Sequence, residues 1–459
     1  MRIESFGSMG VDWEERIDFA RLREERLARA QEQLHASDMA AFLCFDMNNI
    51  RYLTGTTIGE WARDKLARFC LLFRDEPPIL WDFGSAAASH RLHAPWNEPD
   101  RWRAGVSTMR GSMTPETGIA RGVADKVARE LELRGIRGTA IGVDEIEIPV
   151  LFELQRLNIH IADCQQAMLN ARLIKTKDEM NLLNTSAMMV DAAYDLIYEH
   201  LRPGVRENDL VAMVTKLLIE LGSDHVEGIN AISGERCAPH PHIYSDRVIR
   251  PGDQAFFDII QSFHGYRTCY YRTFCVTAAT QAQKDAYKIC REYLDASIDL
   301  VKPGMTTRQI AEVWPRAEEF GFAGEEEAFA LQFGHGIGLS HWEKPVISRL
   351  VSFKEEFVLQ PGMVFALETY WPASDGYSAA RIEEEIVVTP TGHQVITRFP
   401  AEELIVAGTK YVTADGQLAG RAGSEPRWSE DLADGHKKTD VMPEPQDVLV
   451  GGKPQGSNT

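Results

Sequence analysis

Long apolar runs are missing from this 459-residue chain: none approaches the roughly 20 residues that a membrane-spanning helix requires, so no membrane partner is expected. Basic residues are also in short supply, with 49 Lys and Arg against 68 Asp and Glu and a formal net charge of −19. A protein that grips a phosphate backbone needs a basic footprint, so no nucleic-acid partner is expected either. An acid excess of this kind fits solubility and says little about any one pocket. Cysteine is sparse: seven residues, at 44, 70, 164, 237, 269, 275 and 290, are scattered, odd in number and never arranged as CxxC. That usage suits reduced thiols better than a disulfide framework. The opening MRIESFGSMGVDWEERIDF has no apolar centre of the signal-peptide kind, and the expected location is the cytoplasm.

What is present is ordinary globular material, 44% hydrophobic and 25% charged. The length exceeds what one core usually serves, which points to two domains with appendages. A charged, helix-forming stretch from Trp13 to Ala36 leads into an apolar run, Met39 to Phe45, that reads as a buried strand. Strands at Ala67–Phe73 and Ile79–Phe83 follow, split by the turn signal Asp75-Glu-Pro-Pro78. A helix at Gly118–Leu133 and a strand near Thr139–Val143 complete an alternating α/β pattern, giving a first domain over residues 1–170. The texture then changes to one long amphipathic helix, Lys177–Leu201, opening a second domain over 171–408. After Gly408 the periodicity is lost to Gly, Ser, Pro, Asp and Lys, so 409–459 is expected to be a poorly ordered tail.

The second domain contains a weak internal repeat. Leu201-Arg-Pro-Gly-Val205 recurs as Val301-Lys-Pro-Gly-Met305, each between two helices. Arg250-Pro-Gly-Asp-Gln-Ala-Phe-Phe-Asp258 recurs as Gln360-Pro-Gly-Met-Val-Phe-Ala-Leu-Glu368. In both copies an acid sits seven residues after the proline at the end of an apolar strand. Turns at His264-Gly265 and Asp375-Gly376 make each copy a hairpin. Equivalent positions of a duplicated unit meet near a pseudo-twofold axis, so Asp258 and Glu368 are expected to face each other. Two carboxylates buried there are costly unless paired or bound to a metal.

On these motifs the chain resembles the creatinase/aminopeptidase P/methionine aminopeptidase superfamily, peptidase family M24. The resemblance implies an α+β architecture: a pita-bread catalytic domain with pseudo-twofold duplication, preceded by a smaller α/β domain. The family's metal ligands run Asp, Asp, His, Glu, Glu. Asp258 matches the first, His335 within Phe333-Gly-His-Gly-Ile-Gly-Leu339 the third, Glu368 the fourth, and Glu383 within Arg381-Ile-Glu-Glu-Glu385 the fifth. The second departs: where the family writes roughly GYxSDxTRTF, this chain reads Gly265-Tyr-Arg-Thr-Cys-Tyr-Tyr-Arg-Thr-Phe274, which puts Cys269 at the ligand position. A thiolate there suits zinc or iron before manganese or cobalt, and at most one ion is expected; a metal-free site is the alternative.

A second departure follows His335. The run Leu339-Ser-His-Trp-Glu343 has Trp342 where the family's peptidases have histidine, with His341 one residue earlier, a pattern closer to creatinase. Upstream, Pro239-His-Pro-His242 brackets the family's substrate-facing histidine, leaving both His240 and His242 as candidates. The resemblance thus implies His240, His242, His341 and Glu368 as acid–base groups and Asp258, Cys269, His335, Glu368 and Glu383 as metal ligands. Trp61, Arg63, Tyr271 and Trp342 are the implied substrate contacts. Asn48-Asn-Ile-Arg-Tyr-Leu-Thr-Gly55 resembles the NxxYLTG strand end of aminopeptidase P and prolidase, whose dimers imply a homodimer here. The expected activity is hydrolysis of a small C–N or amide-bonded substrate. A lyase of the dimethylsulfoniopropionate-cleaving type, or a pita-bread binding protein without activity, are the alternatives.

Overall fold

The computed structural model describes residues 17–59, 61, 67–106, 109 and 112–409. The expected tail therefore lies outside the described residues from 410 onward, as does Arg63.

Helix α1 (Phe19–His35) starts where Asp18 accepts hydrogen bonds from the Ala20 and Arg21 amides, and it buries Leu22, Ala30 and Leu34. Strand β1 (Ala41–Cys44) follows. The Asn48–Gly55 segment is not a strand end but a helix, α2 (Met47–Thr54). Its cause is local: Asp46 caps the Asn48 and Asn49 amides, and Gly55 closes the last turn at φ +66°. The helix is anchored by the Tyr52 hydroxyl, which donates to the Ala171 carbonyl at 2.9 Å.

Strands β2 (Phe69–Phe73) and β3 (Ile79–Phe83), helix α3 (Ala86–His93), strand β4 (Trp102–Gly105), helix α4 (Ile119–Leu133), strand β5 (Ile141–Val143), helix α5 (Ile148–Arg156) and strand β6 (Ile161–Asp163) complete the first half. The strands form a mixed sheet in the order β4-β3-β2-β1-β5-β6. β1 pairs antiparallel to β2 and parallel to β5. Because this sheet is covered on both faces, its strands are continuous apolar runs rather than alternating ones.

Helix α6 (Gln165–Leu173) leads to α7 (Lys177–His200), which opens with a reciprocal cap between Thr176 and Glu179. Helix α8 (Glu207–Glu220) precedes β7 (His225–Ser233), β8 (Gln254–Phe263), β9 (Tyr266–Thr268) and β10 (Tyr271–Val276). Helices α9 (Gln281–Asp299) and α10 (Thr307–Val313) then precede β11 (Phe333–Gly336), β12 (Glu343–Ile347), β13 (Val364–Pro372), β14 (Ala379–Thr389) and β15 (Gly392–Val395). Finally β16 (Ile405–Ala407) returns to lie parallel to β10. One sheet runs β16-β10-β8-β7 with β9 beside β8, and the other runs β12-β11-β13-β14-β15.

The sequence repeat is a structural one. The Gly204 amide bonds the Ile249 carbonyl, and the Gly304 amide bonds that of Leu359. The Ile249 amide returns to the Val205 carbonyl, as the Leu359 amide does to Met305. Each Pro-Gly turn thus clamps the approach to its own hairpin, and the hairpins β8/β10 and β13/β14 carry Asp258 and Glu368. Where they meet, Arg381 N donates to Thr273 Oγ1 at 2.9 Å and that hydroxyl donates to the Arg381 carbonyl at 2.5 Å.

Candidate active site

Asp258 sits within β8, opposite Tyr271 of β10; Glu368 sits within β13, opposite Glu383 of β14. His335 lies on β11, which pairs with β13 so that Phe333 faces Glu368. The glycines beside His335 are needed for this packing. A Cβ at Gly334 would press on Leu367, and one at Gly336 would collide with the Lys344 carbonyl of β12. His335, Asp258, Glu368 and Glu383 are all buried, and so is Cys269.

Among the described residues, three overlapping groups of donor atoms each lie within 4.8 Å: His335 with Glu368 and Glu383, Asp258 with Cys269 and Glu383, and Cys269 with His335 and His341. The His335 Nδ1 is 3.0 Å from the Gly336 carbonyl, so it carries the ring proton and leaves Nε2 as a lone-pair atom. That Nε2 is 3.9 Å from Glu383 Oε1, and neither oxygen of Glu383 has a hydrogen-bond partner among the described residues. Burial pushes the carboxyls of Asp258 and Glu383 upward and that of Glu368 up to about 7, with the neighbouring carboxylates adding to the rise for Glu368 and Glu383. Burial holds the His335 imidazole down to about 4. Buried acceptors that repel one another in this way are the arrangement a divalent cation relieves, so the donor set fits a metal.

Asp258 is differently placed. Cys269 Sγ is 3.3 Å from its Oδ1, and Asn230 Nδ2 is 2.9 Å from its Oδ2. Burial and then the nearby carboxylates keep the Cys269 thiol well above its ordinary range, so it stands as a neutral S–H donor.

The structure separates the two upstream histidines. His240 Nε2 is 2.9 Å from the Tyr271 hydroxyl, whereas His242 is exposed and stacks on His240 with ring centroids 3.8 Å apart. Burial lowers both imidazoles, that of His242 to about 4 with Arg381 contributing. On the opposite wall, the His341 and His335 rings lie 5.0 Å apart. Trp342 lies 4.7 Å from His335 and is 52% exposed. Tyr271 is buried rather than open to the mouth. Trp61 is not among these groups: it stacks on Phe83 of the first sheet at 4.6 Å.

Several site residues escaped the sequence reading. Arg381 gives Glu368 Oε2 a 2.5 Å ion pair and lies over the Tyr271 ring at 4.2 Å. Glu385 accepts the Cys269 amide at 2.7 Å, and burial pushes its carboxyl up to about 8. Asn230 bridges Asp258 and Tyr271. The available signal was the period of two along β14, which puts Arg381, Glu383 and Glu385 on one face.

Comparison with known proteins agrees with this geometry. Residues 181–390 match the model of metallopeptidase family M24. The chain is 30% identical over 237 residues to an Xaa-Pro dipeptidase of Pyrococcus furiosus, covering 51% of this chain and 65% of that protein. It is 29% identical over 238 residues to the probable dipeptidase PepE of Mycobacterium tuberculosis, covering 51% and 61%. The chain thus spans less than two thirds of the length of these relatives. Among solved structures, an Xaa-Pro dipeptidase from Bacillus anthracis superposes with a TM-score of 0.68 at 23% identity, over 84% of this chain and 99% of that one. Dipeptidase PepE from Mycobacterium ulcerans gives 0.67 at 23%, over 86% and 100%. Residues 181–390 thus match metallopeptidase family M24, and the chain shares the pita-bread fold of these dipeptidases.

Proposed function

We propose that this protein is a metal-dependent hydrolase that cleaves a small amide or C–N-bonded substrate, with Xaa-Pro dipeptides the first class to test. The observation that carries this reading is the His335 Nε2–Glu383 pair: two lone-pair groups 3.9 Å apart, with neither Glu383 oxygen hydrogen-bonded among the described residues. His335, Glu368 and Glu383 would hold one ion, zinc or iron before manganese or cobalt. A bound divalent ion supplies a water of lowered pKa or polarises a carbonyl.

The chain's own groups do the rest. Glu368 has one oxygen fixed by Arg381, and its other oxygen would take a proton from the attacking water and pass it to the leaving nitrogen. His341, neutral because burial holds it well below its ordinary range, would steady the leaving group by hydrogen bonding, and His240, whose Nε2 proton goes to the Tyr271 oxygen, would support the site by holding Tyr271. Phe333 and Trp342, with ring centroids 5.6 Å apart, form an apolar wall beside His335 that keeps bulk water off the reacting bond. The proposed assembly is a homodimer in which the N-terminal domain reaches the partner's pocket; Trp61, 53% exposed, is the residue offered for that contact. A monomeric mass at micromolar concentration with full activity would contradict it.

The reaction is tested by supplying Xaa-Pro dipeptides to the metal-loaded protein in H2¹⁸O. One labelled oxygen in the released carboxylate supports hydrolysis; an unsaturated product without label refutes it.

A further inference from the structure

We propose that Tyr271 is the residue that holds this centre to a single ion: its hydroxyl locks Asp258 into protein hydrogen bonds, which leaves His335, Glu368 and Glu383 to hold a cation. The inference rests on the metal-binding reading above and adds the residue that sets the number of ions.

The duplication gives the first argument. Asp258 faces Tyr271 across the first hairpin, and Glu368 faces Glu383 across the second. Asp258 and Glu368 are the equivalent acids of the repeat, so Tyr271 stands where Glu383 stands in the other copy. The second hairpin offers a carboxylate at that place. The first offers a phenol, which is neutral at physiological pH and enters the site as a hydrogen-bonding group.

The hydrogen bonds give the second. The His242 amide donates to His240 Nδ1 at 2.9 Å, which puts the ring proton of His240 on Nε2. That N–H donates to the Tyr271 oxygen at 2.9 Å, and Asn230 Nδ2 donates to the same oxygen at 3.1 Å. With two donors on its oxygen, the hydroxyl sends its own proton to Asp258. Asn230 also donates to Asp258 Oδ2 and Cys269 to Oδ1, so both oxygens of Asp258 are engaged by protein donors. To recruit Asp258, a second cation would have to break three of these bonds. Glu383, with no hydrogen bond on either oxygen among the described residues, has none of these to break.

Charge gives the third. Arg381 sits over the Tyr271 ring and on Glu368. Its single charge and one divalent cation together neutralise the three carboxylates of Asp258, Glu368 and Glu383. A second divalent cation would leave a buried excess of positive charge beside a fixed guanidinium, which a low-dielectric interior resists.

On this account Cys269 is not sufficient to limit the count. The test uses the full chain, stripped of metal and titrated with manganese(II), with bound ions counted by equilibrium dialysis and elemental analysis. Electron paramagnetic resonance distinguishes an isolated ion from an exchange-coupled pair. Wild type and Cys269→Asp are each expected to take one uncoupled ion. The Cys269→Asp/Tyr271→Thr variant, which removes the phenol while keeping a strand-forming residue, is expected to take a coupled pair. A coupled pair in Cys269→Asp alone overturns the role of Tyr271 and leaves the one-ion reading of the wild type standing. A single ion in a folded double variant also overturns it. If Tyr271→Thr prevents folding, Cys269→Asp/Tyr271→Phe keeps the ring under Arg381 and must bind more than one ion. A coupled pair in the wild type overturns the inference and leaves the metal reading standing, whereas no bound ion there refutes the metal reading itself.

Discussion

Lys175 and Glu343 form a 2.7 Å ion pair that is closed to solvent on both sides. Arg172 approaches the other Glu343 oxygen at 3.0 Å, and that oxygen accepts the Ser340 amide at 3.0 Å. Burial raises the Glu343 carboxyl, but Lys175 and Arg172 hold it below the ordinary range. The cluster ties the chain entering α7 to the turn that carries His341 and Trp342.

Replacing Glu343 by Gln leaves two buried cations facing a neutral amide, a loss of about 3 kcal/mol. Urea unfolding should show that loss, and turnover should fall with it because His341 is no longer held. A stability within about 0.5 kcal/mol of wild type, the range of ordinary surface substitutions, would show that the pair is incidental.

Gly336→Ala tests the close approach of β11 and β12. The added methyl meets the Lys344 carbonyl, a rigid backbone group. Overpacking of this kind costs about 2 kcal/mol, and the shifted His335 should weaken metal binding. Wild-type metal affinity in the variant would rule out this reason for the glycine.

His335→Ala should abolish turnover and leave the fold intact, because it removes the imidazole while the backbone pairing of β11 with β12 and β13 remains. The check pairs a kinetic assay with cooperative unfolding. Near-normal turnover in a folded variant excludes His335 from the chemistry.

Glu76 illustrates a structural ion pair far from the site. Arg134 grips both its oxygens at 2.6 Å and Arg101 adds a third bond at 2.9 Å, holding the carboxyl down to about 2 from an ordinary 4.5. A depressed carboxyl stabilises the fold above its unfolded pKa, and that stabilisation is lost as pH falls through the folded one. Glu76→Gln should therefore cost about 1 kcal/mol at pH 7, after solvent screening, and progressively less between pH 4.5 and 2. A difference from wild type that does not shrink over that window would contradict the pairing.

Asp258 and Glu368 were legible because each interrupts an apolar strand at a repeated spacing, whereas His335 and Glu383 were legible only through the family resemblance; glycines mark the strand of His335 where no side chain fits. The second helix was not legible as such. Asn48–Gly55 carries apolar residues that suit either state, and the decision lies with Asp46, whose side chain caps the amides two and three residues ahead. Arg381 and Asn230 carry no motif of their own; they matter only through the pairing of β14 with β13 and of β7 with β8. The pairing of β8 with β10 likewise turned Tyr271 from an expected substrate contact into a partner of Asp258.

The most direct test is the metal itself. Chelator-treated protein should be inactive on its substrate and should regain activity as zinc or iron is added, saturating at one ion per chain. Glu383→Gln should remain folded, bind that ion far more weakly and recover little activity. Full activity in metal-free wild-type protein, or unchanged ion binding in Glu383→Gln, would contradict the account.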